Sequence, residues 1–298
     1  MEKLLFVVNP ISGTKKSHPH MMDILKIFNE NDFLPTVYLT RSKGDATNYI
    51  AQNAKYYDRV VCCGGDGTFS ESANGIIKSG VDIPLGYIPA GTTNDLAKTL
   101  GIPTDFKKAA ENAVKGKMRG FDIGLINDNI NFSYVASFGI FTKTSYATPQ
   151  NLKNALGHLA YLLEGVKELV DIPSYDIDIE IDGQDHSGKY IFGAITNSLS
   201  MGGVLKFNPS VVSLNDGEFE AMFIKQPEKA IELGEIALRL VDGSYKNKNI
   251  IFKKLKDVKL KSEQMIPWTV DGEFGGEYKE IAIKNLHNRV KVAVPETK

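Results

Sequence analysis

Residues 60–71 read VVCCGGDGTFSE, and the reading of this stretch decides the fold. The apolar run Val60–Cys63 has the length of a short buried strand, and it stops abruptly at two glycines. Asp66, Gly67 and Thr68 follow, then residues compatible with a helix. Glycine at such a junction lets the backbone turn sharply and approach a ligand closely. A carboxylate set there can hold a metal or meet ligand hydroxyls. It can equally serve a tight strand-to-helix turn with an Asp near the helix N-cap. These residues by themselves leave both readings open.

Composition narrows the class. The chain has 298 residues, 42% hydrophobic and 24% charged, which is ordinary for a globular protein of about two domains. The two cysteines, Cys62 and Cys63, are neighbours inside the apolar run. Adjacent strand residues point to opposite faces, so no bridge between them is expected, and a reduced, cytoplasmic setting fits best. The N-terminal MEKLLFVVNP offers too short an apolar run for a signal peptide. No uncharged stretch approaches the ~20 residues a membrane-spanning helix needs. A net charge of −1 provides no general attraction for nucleic acid, and no Cys/His spacing suits zinc.

The first ~120 residues alternate between two patterns. Leu4–Val8, Thr36–Leu39, Val60–Cys63 and Leu85–Ile88 read as strands. Met21–Asn29, Ala46–Ala54, Ser70–Lys78 and Phe106–Lys115 read as helices. Alternation of this kind predicts a parallel sheet covered by helices. After Gly120 the pattern becomes strand-rich, at Asn131–Phe138, Asp176–Ile181, Tyr190–Thr196, Phe219–Ile224, Val258–Leu260, Glu280–Ile283 and Val290–Val294. Two helical stretches interrupt it: 151–170, and 227–241 with Pro227 suited to a first turn. The expected architecture is an N-terminal α/β lobe, residues 1–122, and a C-terminal β-sandwich lobe, residues 123–298. The ligand cleft is expected between them, and the last strand is a candidate to return to the first lobe.

The turn after Cys63 is one of three. Leu4–Val8 runs into Asn9-Pro10-Ile11-Ser12-Gly13, and Leu85–Ile88 into Pro89-Ala90-Gly91-Thr92-Thr93-Asn94-Asp95. In a parallel sheet all three turns open on one edge, where α/β proteins bind ligands. Backbone N–H groups and the hydroxyls of Ser12, Thr68, Thr92 and Thr93 suit phosphate. Neither G-x-x-x-x-G-K-[ST] nor G-x-G-x-x-G occurs, which argues against a Walker-type NTPase and a Rossmann dehydrogenase.

Asn9-Pro-x-Ser-Gly13, Gly64-Gly-Asp-Gly-Thr68, Pro89-x-Gly-Thr-x-Asn-Asp95 and Asp271-Gly-Glu273 occur in this order across nearly the whole chain. The set resembles the diacylglycerol kinase catalytic-domain family, in particular the bacterial soluble lipid kinases. Gly-Gly-Asp-Gly-Thr alone would not single it out, since NAD kinases share it. The resemblance implies ATP as phosphoryl donor, Mg²⁺, and a lipid hydroxyl as acceptor, with diacylglycerol first among the lipids. By position it assigns ATP contacts to Asn9, Pro10, Ile11, Ser12 and Gly13, to Thr40, to Gly65, Asp66, Gly67, Thr68, Phe69, Ser70 and Glu71, and to Thr92. The family often has Asn or Asp after Thr68-Leu, whereas Phe69-Ser70-Glu71 follows here, so adjusted contacts with ATP are expected. The resemblance assigns Mg²⁺ to Ser213, Asp216 and the Glu218 carbonyl, oxygen ligands that suit this ion. Read alone, that segment is a plain Asn-Asp-Gly turn.

Glu273 is implied as the acceptor of the hydroxyl's proton, with Asp271 close by. Two residues apart in an extended segment, the two carboxylates would share a face. Lys15 and Lys16 are further candidates for phosphate. A lipid substrate implies peripheral contact with the inner membrane face. Residues 245–262, with seven lysines against one acid, fit either that contact or a solvated strand face. Trp268 reads as core and His158 and His287 as structural. Exposed sandwich edges would permit a homodimer. An NAD kinase and a catalytically silent lipid- or nucleotide-binding regulator stand as the competing functions.

Overall fold

The computed structural model describes residues 1–15, 18–140, 172–181, 184–198, 200–201, 205–206 and 213–296. The chain forms two compact units, Met1–Ile123 with His287–Lys298, and Gly124–Leu286.

The first unit runs β1 (Glu2–Val8), α1 (Met21–Glu30), β2 (Phe33–Leu39), α2 (Asp45–Asn53), β3 (Arg59–Gly64), α3 (Asp66–Ser79), β4 (Leu85–Pro89), α4 (Asp95–Thr99) and α5 (Phe106–Lys115). β1 lies between β2 and β3 and pairs with both in parallel, Val8 standing opposite Leu39 and Cys63. β4 continues in parallel on the far side of β3, with Gly64 opposite Pro89. Internal strands of such a sheet are covered on both faces, so their sequences are apolar at nearly every position. Val60–Cys63 and all of β4 are buried accordingly, whereas edge strand β2 is mostly not. Phe6, Ile24, Phe28, Val61, Cys63, Ile88 and Ala113 share one core. Burial also lifts the Cys62 thiol far above its ordinary range, which keeps it protonated and unreactive.

The second unit begins within β5 (Lys117–Ile126) and continues through β6 (Ile130–Phe132), β7 (Val135–Gly139), β8 (Tyr175–Ile181), β9 (Gln184–Asp185), β10 (Gly188–Thr196), β11 (Ser200–Met201) and β12 (Leu205–Lys206). β13 (Phe219–Lys225), α6 (Ala230–Asp242), β14 (Ile250–Leu255), β15 (Asp257–Val270) and β16 (Glu273–Val294) complete it. Its sheet has the order β14-β13-β10-β7-β15-β16, every pair antiparallel. β8 pairs with both β10 and β15. Alternation drives Ile177, Ile179 and Ile181 into a core with Phe132, Phe138, Phe219, Phe223 and Trp268. Trp268 is core, as its sequence context suggested.

Several boundaries differ from the sequence reading. Asn131–Phe138 is two strands, because the backbone N–H groups of Ser133 and Tyr134 turn to the Asp271 carboxylate. The runs at 258–260, 280–283 and 290–294 are parts of the long strands β15 and β16, whose outward charged residues dilute the apolar signal. Helix α6 starts at Ala230 rather than around Pro227; the Glu232 carboxylate reaches back to accept the Glu228 N–H at 3.0 Å. Five-residue α4 is too short for periodicity to reveal. From His287 the chain belongs to the first unit, so residues 123–298 do not form one unit. There Val292 pairs with Leu85 in parallel, and the Ala293 carbonyl accepts the Asn112 amide at 2.9 Å. The helical stretch 151–170 with His158, and Lys16, lie outside the described residues.

Candidate active site

The three glycine turns of the first unit pack against one another. Asn9 N–H donates to the Cys63 carbonyl at 2.9 Å, and Ala90 N–H to the Gly64 carbonyl at 2.7 Å. Gly13 has φ +52°, and a Cβ there would stand 1.9 Å from the Ala90 oxygen. A Cβ on Gly91 would stand 2.6 Å from the Gly65 Cα. Side chains at either position would drive the turns apart, which explains glycine at both. Within the third turn Asn94 adopts φ +51° and folds its side chain back. Its oxygen accepts the Gly91 N–H at 2.9 Å and its amide donates to the Gly91 carbonyl at 3.0 Å.

Asp66, the first residue of α3, ties the second turn to the third. Its carboxylate accepts the N–H of Asp95 at 2.9 Å and of Leu96 at 3.1 Å, and so caps α4. The Tyr87 hydroxyl donates to it at 3.4 Å. Burial pushes the Asp66 carboxyl up to about 6, against the opposing pull of those two backbone donors. Asp95, itself buried, pairs with Lys98 at 3.3 Å. The sequence reading missed both the capping contact and the burial of Asp95; Asp95 within the third motif was the available signal.

The remaining residues of the first-unit set divide into two groups. At the turn edge, the Asn9 amide donates to the Thr68 hydroxyl at 3.3 Å, and its oxygen accepts the Ile11 N–H at 3.1 Å. The Ser12 hydroxyl donates to the Asn9 carbonyl at 2.9 Å. Thr40, just past β2, donates its N–H to the Val8 carbonyl at 2.9 Å, which brings it beside the first turn. Gly67 and Thr92 are exposed on their turns. In the first turn of α3 the Thr68 N–H already donates to the Gly65 carbonyl at 2.9 Å, which leaves the N–H groups of Asp66 and Gly67 at the helix start, where an anion is favoured. Other side chains of this segment turn away from the edge. Phe69 is wholly buried against the rings of Tyr87 and Phe121, and Ser70 is buried too. The Glu71 carboxylate accepts N–H groups from Gly44 at 2.8 Å and Ala46 at 3.3 Å, at the start of α2.

In the second unit, Asp271 and Gly272 are the two central residues of the β15–β16 hairpin, with φ of +49° and +85° and Val270 paired to Glu273. Positive φ at both positions is the primed hairpin geometry that Asp-Gly favours. The extended segment expected for Asp271–Glu273 is therefore absent, and strand alternation does not relate their side chains. The Asp271 carboxylate instead accepts N–H groups from Ser133 at 2.8 Å, Tyr134 at 3.0 Å and Val135 at 3.1 Å. Glu273 begins β16 and is exposed.

The Ser213–Glu218 segment is a turn whose Asp216 accepts the Glu218 N–H at 3.1 Å and the Lys254 ammonium at 2.8 Å. Lys254 also lies 3.7 Å from Glu220, a fully buried acid that the sequence reading missed. Burial pushes Glu220 up to about 7, with Lys254 opposing. The oxygen-rich donor set suits a hard divalent ion, although Asp216 already carries a cation. Among the described residues no group of three or more His, Cys, Asp or Glu side chains is arranged to hold a metal. Four of the seven lysines between Tyr245 and Ser262 have partners: Lys248 with Glu232, Lys253 with Gln184, Lys254 with Asp216 and Lys261 with Glu280. Among the described residues no helix is long and apolar enough to cross a membrane.

Known proteins resemble this chain along almost its whole length. Residues 3–126 match the diacylglycerol kinase catalytic domain, and residues 135–291 the YegS C-terminal NAD kinase beta sandwich-like domain. The chain is 34% identical over its whole length to a diacylglycerol kinase of Bacillus subtilis, spanning 98% of that protein. It is 32% identical to one of Staphylococcus carnosus, with 97% of this chain and 94% of that protein covered. The fold superposes on a crystal structure of a diacylglycerol kinase from Bacillus anthracis with a TM-score of 0.76 at 23% identity, covering 99% of this chain and 97% of that one. With its motifs in order and relatives of this identity over its full length, the chain belongs to the diacylglycerol kinase family.

Proposed function

We propose that this chain transfers the γ-phosphoryl group of ATP to the free hydroxyl of diacylglycerol, giving phosphatidic acid. The observation that carries the reading is the meeting of three glycine turns around Asp66. Phosphoryl transfer consists chiefly of positioning and charge neutralisation, and a cradle of backbone N–H groups performs both. The Asn9–Gly13 turn, Thr40, the backbone of Gly65–Glu71 and Thr92 hold the nucleotide. Phe69, Ser70 and Glu71 act there through their main chain, since their side chains turn elsewhere. Asp66 keeps the second and third turns in register.

Glu273 receives the proton of the acceptor hydroxyl. Asp271, its carboxylate committed to three backbone donors, sets the hairpin that presents Glu273. Ser213, Asp216 and the Glu218 carbonyl would hold Mg²⁺, which when bound supplies positive charge and rigidity. The acceptor is a membrane lipid, so the enzyme works at the inner membrane face without spanning it.

The test is ADP release with Mg-ATP and mixed micelles carrying diacylglycerol, other hydroxylated lipids or NAD⁺, with Asp66→Asn as control. Release that requires diacylglycerol and disappears in the variant is expected. Release with NAD⁺ alone would move the protein to NAD kinase chemistry. Nucleotide binding without turnover on any acceptor would make it a silent regulator.

A further inference from the structure

Glu220 is the buried acid that the phosphoryl-transfer reading leaves without a task. It lies in β13 directly opposite Lys254 of β14, a cross-strand pair whose side chains share one face. Its side chain is fully buried, and neither carboxylate oxygen has a hydrogen-bond partner among the described residues. Lys254 stops 3.7 Å short of it and gives its close contact, 2.8 Å, to Asp216 instead. The other Asp216 oxygen accepts the Glu218 N–H. Both oxygens of the Asp216 carboxylate are thus engaged, one of them by a cation. A hard divalent ion cannot share that oxygen with an ammonium at contact distance without strong repulsion. A buried carboxylate without a hydrogen bond, already within ion-pair distance of the same ammonium, is a ready destination for the displaced charge.

We propose that Lys254 is an exchangeable counter-cation of the Ser213–Glu218 loop: a hard divalent cation entering the loop takes Asp216 from it, and the ammonium passes to Glu220. The inference rests on the reading of that loop as a divalent-cation site. It adds a device by which the loop stays charge-balanced both with and without the ion.

The experiment uses the full chain without nucleotide. Mn²⁺ is titrated and followed by its electron paramagnetic resonance signal, and thermal melting is recorded in EDTA and in MgCl₂. In Lys254→Met the competitor is gone, so Mn²⁺ affinity rises by roughly fivefold, the factor a single ion pair of this kind supplies. The same variant melts lower than wild type in EDTA and gains more from MgCl₂. In Glu220→Gln the ammonium has nowhere to go, and Mn²⁺ affinity falls. Asp216→Asn abolishes the loop's Mn²⁺ site. Unchanged affinity in Lys254→Met, with the site lost in Asp216→Asn, overturns the exchange and leaves the metal loop standing. Undiminished Mn²⁺ binding in Asp216→Asn overturns the loop reading and the exchange with it. Glu220→Gln decides the matter if Lys254→Met does not fold, and unchanged or tighter binding in it overturns the proposal.

Discussion

Asp66 carries two opposed duties. Its charge is poorly solvated, yet it caps α4 through two backbone N–H groups. Because its folded value is raised to about 6 from 3.8, the unfolded chain gives up this proton first. Between those values the folded state binds more protons, so the Asp66 contribution to stability falls as pH rises through that window. Asp66→Asn keeps one acceptor for the cap and removes the charge. Its melting temperature relative to wild type is expected to rise between pH 4 and pH 6, measured by paired thermal denaturation across that range. Asp66→Ala also loses the cap, at about 1 kcal/mol. The two acids of the hairpin separate in a complementary way. Glu273→Gln is expected to lower turnover by about 10²–10⁴-fold, the usual worth of a general base, with stability within about 0.5 kcal/mol of wild type. Asp271→Asn faces three N–H donors with one oxygen and an amide, and is expected to lose about 3 kcal/mol by chemical denaturation. A stable Asp271→Asn with turnover lost would return Asp271 to the chemistry.

Among the elements, α2 depends on α3 for its start. Gly44 enters α2 with φ +79° and no side-chain cap of its own, and the Glu71 carboxylate supplies the acceptor from the second turn of α3. The Thr47 hydroxyl adds a bond to the Glu71 carbonyl at 2.8 Å. Glu71→Ala is expected to destabilise by about 1–2 kcal/mol. The loss should appear as faster amide exchange in the first turn of α2, while ATP affinity changes little. Loss of ATP affinity with α2 intact would instead place the Glu71 side chain at the nucleotide.

At the scale of the whole molecule, the first unit is discontinuous in sequence. Its last strand comes from the far end of the chain, burying Val290, Val292, Ala293 and Val294. Asn288 N–H donates to the buried Asp122 at 2.7 Å, and Lys291 pairs with Asp82. Ending the chain after Leu286 removes these contacts and uncovers β4. The buried valines alone contribute about 1.5–3 kcal/mol each. Such a truncation is expected to unfold the first unit, read as early proteolytic cleavage within residues 1–123, although every motif residue there remains.

The local features of this protein were legible in its sequence. Buried parallel strands are apolar throughout and end in turns, so β1, β3 and β4 appear as short apolar runs that stop at glycine-rich turns, in which Gly13 and Gly91 are positions that reject a side chain. Four ordered motifs placed the family. What tertiary structure alone decided are contacts between residues remote along the chain. Asp271 reaches the N–H groups of 133–135, Glu71 the start of α2, Asp66 the start of α4, and Glu220 stands opposite Lys254. A carboxylate's sequence neighbours do not say which backbone donor it will meet, because that is set by strand register and by the path of the connecting turns. For the same reason the sequence marked the acids of this protein but left open which of them are bound up in holding the fold.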